Sequence, residues 1–174
     1  GLDVLPSEYK KAIFIRFMLP LILRANQQIW EQRQQIIDAK SSENKIVMKK
    51  IAKIYKIDKS FTKSDVTYDW ADKYVLPIPT SLALAQAAIE SGWGTSRFSI
   101  QGNALFGQWS WSPQSGIKPL EASNSQAVVR SFPNLQSSVN SYMKNLNTHH
   151  AYTEFRALRN SYIKKGKWPD GIEL

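Results

Sequence analysis

The chain has no cysteine, which excludes disulfides, thiolate zinc sites, iron–sulfur clusters and a cysteine nucleophile. Its two histidines, His149 and His150, are adjacent, so no spaced set exists for a multi-histidine metal centre. No metal and no cofactor is expected. Carboxylates are scarce through the middle of the chain: between Asp72 and Glu154 only Glu90 and Glu121 are acidic. Long apolar runs are missing too. The best candidate, Ala12 to Leu23, falls short of the roughly 20 residues that span a bilayer and is broken by Arg16 and Pro20. Lys10 and Lys11 before it give a faint likeness to a signal sequence. Arg16 within the run and the absence of a small-residue cleavage site favour a buried helix instead. No transmembrane segment is expected. Gly1 rather than Met at the start suggests a processed or trimmed product, from which any export signal would have been removed. A phosphate loop, a Gly-x-Ser-x-Gly elbow and a His-Glu-x-x-His helix are all absent.

What is present suits one folded domain of 174 residues. Hydrophobic residues make up 43% and aromatics 11%, with six Trp, which argues against disorder. The net charge is +9, which favours an anionic partner: nucleic acid, a membrane or a cell-wall polymer. The charge is dispersed, with 13 basic and 9 acidic groups in residues 1–72 and no polybasic arm. Steering by the whole surface fits better than a nucleic-acid tail.

The patterning predicts an α+β fold that is mostly α. Pro6-Ser7-Glu8 starts a long helix to about Ile37, kinked near Pro20. Asp38 to Asn44 is a polar break. Glu43 to Lys56 is a basic amphipathic helix with Ile46, Val47, Ile51 and Ile54 on its apolar side. Asp58 to Thr62 connects to a short helix over Ser64 to Lys73. Pro77 and Pro79 give an extended approach to a helix capped by Thr80 or Ser81, running through Glu90 and stopped by Gly92 and Gly94. Thr95 to Ile100 adds one turn. Residues 105–132 read as a hairpin or three-stranded antiparallel sheet, with a turn at 122–125. Helices over Leu135 to Leu146 and Thr153 to Lys165 close the chain. Residues 1–75 form a helical N-terminal part and 76–174 the core that carries chemistry.

The acid-poor stretch is rich in Trp93, Phe98, Phe106, Trp109, Trp111, Tyr142 and Tyr152. Aromatic faces stack on sugar rings, and paired carboxyls supply acid and base for glycoside cleavage. Glu90 ends the helix 82–89, whose apolar sides predict burial all round. The macrodipole disfavours an anion at that end, and partial burial beside Trp93 would act with the same sign. Both would raise its pKa, as a general acid requires. The competing reading is a solvated glutamate at a helix end. Glu121, near the hairpin turn, is either an exposed strand-end residue or a partner facing Glu90. Ser91, Trp93 and Thr95 would shape the turn and pack rather than react, with Gly92 and Gly94 allowing positive φ. Trp109, Trp111, Tyr142 and Tyr152 are candidate sugar platforms, with core packing the alternative for the two tryptophans. His149 and His150 read as surface or capping residues.

The run Ala85-Gln86-Ala87-Ala88-Ile89-Glu90-Ser91-Gly92-Trp93-Gly94-Thr95-Ser96 resembles the signature of the bacterial glucosaminidases, glycoside hydrolase family 73. Asn103-Ala104-Leu105-Phe106-Gly107 resembles the family's Asn-Leu-Phe-Gly element, with Ala104 where a second asparagine is common. The extension Gln108-Trp109-Ser110-Trp111, with Leu5-Pro6-Ser7-Glu8 and Phe17-Met18-Leu19-Pro20, resembles the subgroup called Bax proteins. The resemblance implies a lysozyme-like fold: a helical lobe, a small β lobe and a cleft between. It implies cleavage of the β-1,4 bond after N-acetylglucosamine in peptidoglycan, with Glu90 as general acid. Glu121 with Asn124 matches the Glu-x-x-Asn context of the proposed base. Trp93, Asn103, Phe106, Tyr142 and Tyr152 map to substrate binding. The expected partner is peptidoglycan or a related N-acetylglucosamine-containing glycan, with no nucleic acid, for a monomer in the periplasm or secreted to the bacterial cell envelope. A lytic transglycosylase, which needs no second carboxylate, and a non-catalytic wall-binding domain are the alternatives.

Overall fold

The computed structural model describes residues 1–57, 69–120 and 126–171. Seven helices and a small sheet are found there: α1 Ser7–Ser41, α2 Lys45–Ile54, α3 Asp69–Tyr74, α4 Thr80–Ser91, α5 Arg97–Gly102, α6 Leu135–Thr148 and α7 Thr153–Lys164. Strands β1 Trp109–Ser110, β2 Gly116–Ile117 and β3 Val128–Arg130 form an antiparallel sheet in the order β1-β3-β2. Trp109 pairs with Val129 and Gly116 with Arg130. The fold is thus mostly helical with a small antiparallel sheet in the third quarter of the chain, as its patterning predicts. The expected connection at 58–62, the first part of the helix at 64–73, and the turn at 122–125 lie outside the described residues.

Helix α1 runs through Pro20 and past the expected stop near Ile37. Gln34 donates to Asp38 at 2.9 Å, and Ser41 Oγ to the Ile37 carbonyl at 3.2 Å, so polar side chains carry the helix on. The reversal comes at Glu43, in the left-handed region at φ 53°, where the Asn44 N–H bonds back to the Ala39 carbonyl at 2.8 Å. The apolar run within α1 does form a buried stripe, Phe14, Met18 and Ile22 at four-residue spacing. Among the described residues no helix is long and apolar enough to cross a membrane. In α2, Met48 and Ile51 are buried, but Ile46 is 81% exposed and does not join the apolar face expected of it.

The chain forms two compact units, each drawn from two stretches: Gly1–Leu23 with Thr80–Tyr142, and Arg24–Pro79 with Met143–Leu174. The first holds α4, α5 and the sheet, around Ala83, Ala87, Leu105, Val128, Val129 and Val139. The second is built around Ile29, Ile36, Ile51, Val75, Ile78 and Leu146. There Arg159, fully buried, donates to the carbonyls of Leu76 and Pro77 at 3.2 and 3.1 Å and of Lys73 at 3.2 Å. A cation set against the carbonyls that follow α3 complements that helix's dipole. Burial draws the Arg159 guanidinium down to about 9, with the neighbouring Arg156 acting in the same sense.

Candidate active site

Helix α4 presents small residues on one face: Ala83, Ala87 and Ser91, at four-residue spacing, have no exposed surface. The opposite face is open. Ser81, Ala85, Ile89 and Glu90 are exposed, Ile89 at 78%. The expectation of burial on nearly every side is therefore corrected, and with it the expected partial burial of Glu90. Alanines tolerate a core face without demanding burial elsewhere. Glu90 stands in the last turn of α4, as expected, with its side chain in solvent.

The turn after Glu90 is unusual backbone. Gly92, Trp93 and Gly94 have φ of 58°, 58° and 78°, three successive left-handed residues. For Trp93 that conformation costs about 1–2 kcal/mol. Four bonds hold it. Trp93 N–H reaches the Ala88 carbonyl at 2.8 Å and Ser96 N–H the Ser91 carbonyl at 2.9 Å. Gly94 N–H donates to Ser91 Oγ at 2.8 Å, and that hydroxyl donates to the Ala87 carbonyl at 2.6 Å. The Trp93 ring meets Phe14 of α1 edge-on at 5.6 Å, with Lys11 Nζ 5.8 Å from the ring centre. Trp93 thus packs on α1. Gly94 comes so close to α1 that a Cβ there would lie 3.2 Å from Phe14 Cδ2. The turn-shaping role expected of Ser91, Trp93 and the glycines is what the geometry shows.

The segment Asn103 to Gly107 is fixed residue by residue. Asn103 is left-handed at φ 51° and ends α5, and its amide donates to the Phe132 carbonyl at 2.9 Å. Ala104 N–H bonds the Phe98 carbonyl at 3.1 Å, and Leu105 N–H the buried Ser138 hydroxyl at 3.2 Å. Phe106 stacks on Tyr142 of α6 with centroids 3.9 Å apart and planes 5° from parallel. Gly107, at φ 52°, then lies beside the candidate acid: a Cβ on it would be 3.1 Å from Glu90 Oε2.

Glu90, Phe106 and Tyr142 are therefore gathered in one unit, together with Gln86, whose side-chain oxygen accepts the Tyr142 hydroxyl. Phe106 and Tyr142 are buried, 8% and 5% exposed, so their rings face each other rather than solvent. Trp109 and Trp111 are 62% and 77% exposed, which removes core packing as their role. Tyr152 belongs to the other unit, at the N-cap of α7, its ring edge-on to His149 at 6.2 Å. His149 caps the short turn 150–152 by accepting the Ala151 N–H at 3.2 Å. Glu121 and Asn124 lie outside the described residues. Sequence reasoning missed Gln86 and the closeness of Gly107 to Glu90. The signal for the first was its place one helical turn before Glu90 on the same face.

Glu90 thus stands exposed at a helix end, beside Gly107 and the loop that carries Phe106. The sequence model of the glucosaminidases, described as mannosyl-glycoprotein endo-β-N-acetylglucosaminidase, matches residues 67–172, and the chain belongs to that family. It is also 32% identical over 160 residues to Protein bax of Escherichia coli (strain K12), an alignment covering 86% of this chain and 55% of that protein. The chain thus spans about half the length of that relative. No solved structure matches it.

Proposed function

We propose that the chain is a peptidoglycan hydrolase, an endo-β-N-acetylglucosaminidase of the bacterial cell envelope, acting as a single domain with its catalytic residues in 76–174. The observation that carries this reading is Glu90, solvent-facing at the end of α4 with the bare backbone of Gly107 beside its carboxylate. A side chain at 107 would occupy space that a glycosidic oxygen needs in order to reach Oε2.

Protonated Glu90 donates to the leaving glycosidic oxygen. Glu121 activates the attacking water, and a carboxyl separation wide enough to hold that water gives inversion. Trp109 and Trp111 supply exposed aromatic faces for sugar rings. Trp93, Asn103, Phe106 and Tyr142 serve the substrate by holding the turn and loop on either side of Glu90. Tyr152 is assigned to substrate binding on the family resemblance. The +9 charge favours an anionic wall polymer.

Mass spectrometry of the fragments released from purified peptidoglycan, after borohydride reduction, tests the reading. Reduced N-acetylglucosamine ends are expected, and Glu90→Gln should release at least a hundredfold less. Anhydro-muramyl ends would make the enzyme a lytic transglycosylase and leave Glu121 without a role. Absence of fragments from the unmutated protein would count against wall hydrolysis. Release from a high-mannose glycoprotein in its place would move the substrate to that glycan.

A further inference from the structure

We propose that Gln86 is a positioning residue for Glu90, acting through Tyr142, Phe106 and Gly107; the proposal rests on the reading of Glu90 as the acid. The side chains close a ring. Glu90 and Gln86 are one turn apart on α4, hence on the same face and about 6 Å apart along the axis. Gln86 accepts the hydroxyl of Tyr142, which lies 56 residues further along the chain, in α6. The Tyr142 ring lies flat on Phe106 at 3.9 Å. Phe106 is bonded to Gly107, where a Cβ would come within 3.1 Å of Glu90 Oε2.

The ring couples the two sides of the candidate acid. Without the hydroxyl bond, α4 would lose a polar link from Gln86 to α6, whose Tyr142 ring carries the loop 103–107 through its stack on Phe106. Glu90 itself is exposed, but the members that would position it are buried or half-buried: Phe106 at 8% and Tyr142 at 5% leave little room for either ring to tilt. A glutamine is suited to the task. Its side-chain oxygen accepts the phenolic hydroxyl from a fixed position one turn from Glu90. The consequence falls on the chemical step, because a displacement of about 1 Å at a proton donor can cost a hundredfold in rate.

Kinetics on a soluble peptidoglycan fragment, with Tyr142→Phe, Gln86→Met and their combination, test this. Tyr142→Phe keeps the stack and removes only the hydroxyl, and Gln86→Met keeps the length and removes the acceptor. Each should lower kcat tenfold or more with KM within twofold, and the double variant should be no worse than the poorer single one. Gln86→Glu, which keeps an acceptor oxygen, should recover most of the kcat lost in Gln86→Met. Full kcat in Tyr142→Phe, or losses that multiply in the double variant, would overturn the proposal. A purely structural role would lower the melting temperature and leave the kcat of the folded enzyme unchanged.

Should the unmutated protein release no fragments, or Glu90→Gln stay active, the acid reading fails and the kinetic arm is silent. Carboxyl 13C NMR then decides, with the Glu90 signal assigned by its loss in Glu90→Gln. The positioning proposal expects the chemical shift of the Glu90 carboxyl to move in both Tyr142→Phe and Gln86→Met and to stay fixed in Lys144→Ala, at an exposed position of α6. A Glu90 signal unmoved in Tyr142→Phe would refute it without reference to activity.

Discussion

Ser91 has no accessible surface, and its hydroxyl serves two backbone groups at once, accepting from Gly94 N–H and donating to the Ala87 carbonyl. Ser91→Ala changes volume little, so its cost should be that of leaving a partly buried N–H without its acceptor, about 1–3 kcal/mol. Urea unfolding monitored by tryptophan fluorescence measures this. A loss below about 0.5 kcal/mol would mean that packing of Trp93 on Phe14 alone holds the left-handed turn. This residue's role was legible in the sequence, because Ser-Gly-Trp-Gly after an alanine-rich helix demands positive φ and something to hold it. The position of Glu90 was legible for another reason: a carboxylate isolated in a long acid-poor stretch stands out. Its exposure was not legible. Alanines at 85, 87 and 88 read alike on a hydropathy scale, whereas only the last two are buried. Gln86 escaped notice because its meaning lies in a tyrosine 56 residues away, a distance that no local pattern spans.

At the scale of elements, the sheet and its flanking loop divide into a buried and an open side. Trp109 in β1 and Trp111 just after it stand out, while Val128 and Val129 in β3 are 3% and 5% exposed. Trp109→Ala and Trp111→Ala should therefore leave the melting temperature within about 2 °C, since exposed substitutions cost under about 0.5 kcal/mol. Phe106→Ala, which empties a core position, should cost about 3–5 kcal/mol. Sedimentation binding to insoluble peptidoglycan, performed in the Glu90→Gln background so that nothing is cut, should weaken severalfold in either tryptophan variant and more in both. Unchanged binding in the double variant would remove the tryptophans from the substrate site. Val128 and Val129 with Phe132 made a strand legible at 127–132, since a half-buried strand wants β-branched and aromatic side chains. The order β1-β3-β2 was not, because pairing between strands 20 residues apart is decided by tertiary packing. Helix α1 overran its expected end because Gln34 donates to Asp38 and Ser41 to the Ile37 carbonyl along the helix, in a stretch that composition alone reads as a break.

At the scale of the whole molecule, the charge and the class were legible, but the assembly of two compact units from interleaved stretches was not, because contact between distant segments leaves no compositional trace. Stability against alkali follows from one buried group in the second unit. The Tyr55 phenol is 4% exposed and donates to Gln32 Oε1 at 2.7 Å. Burial pushes its ionisation well above the ordinary 10.0, and the positive charge of Arg159 opposes this only in part. Below pH 10 the phenol is neutral whether the chain is folded or not, so the bond to Gln32 contributes fully, about 1 kcal/mol. Above pH 10 the unfolded chain loses the proton while the folded one retains it. The unfolded state is favoured by about 1.4 kcal/mol per pH unit from this group. Arg159 works in the opposite sense from about pH 9 upward, because the folded chain sheds its proton before the unfolded one does. Arg159 is common to the protein and to Tyr55→Phe, so the difference between them reports the phenol together with its interaction with Arg159. Tyr55→Phe should be about 1 kcal/mol less stable at pH 7, equal to the unmutated protein between pH 10 and 11, and more stable above that. Guanidinium unfolding midpoints measured at intervals from pH 7 to about 11.5 follow the difference. A difference that stays constant across that range would show that the folded chain lets Tyr55 ionise at its ordinary pH, and that the pocket formed with Gln32 opens to water well before the unit unfolds.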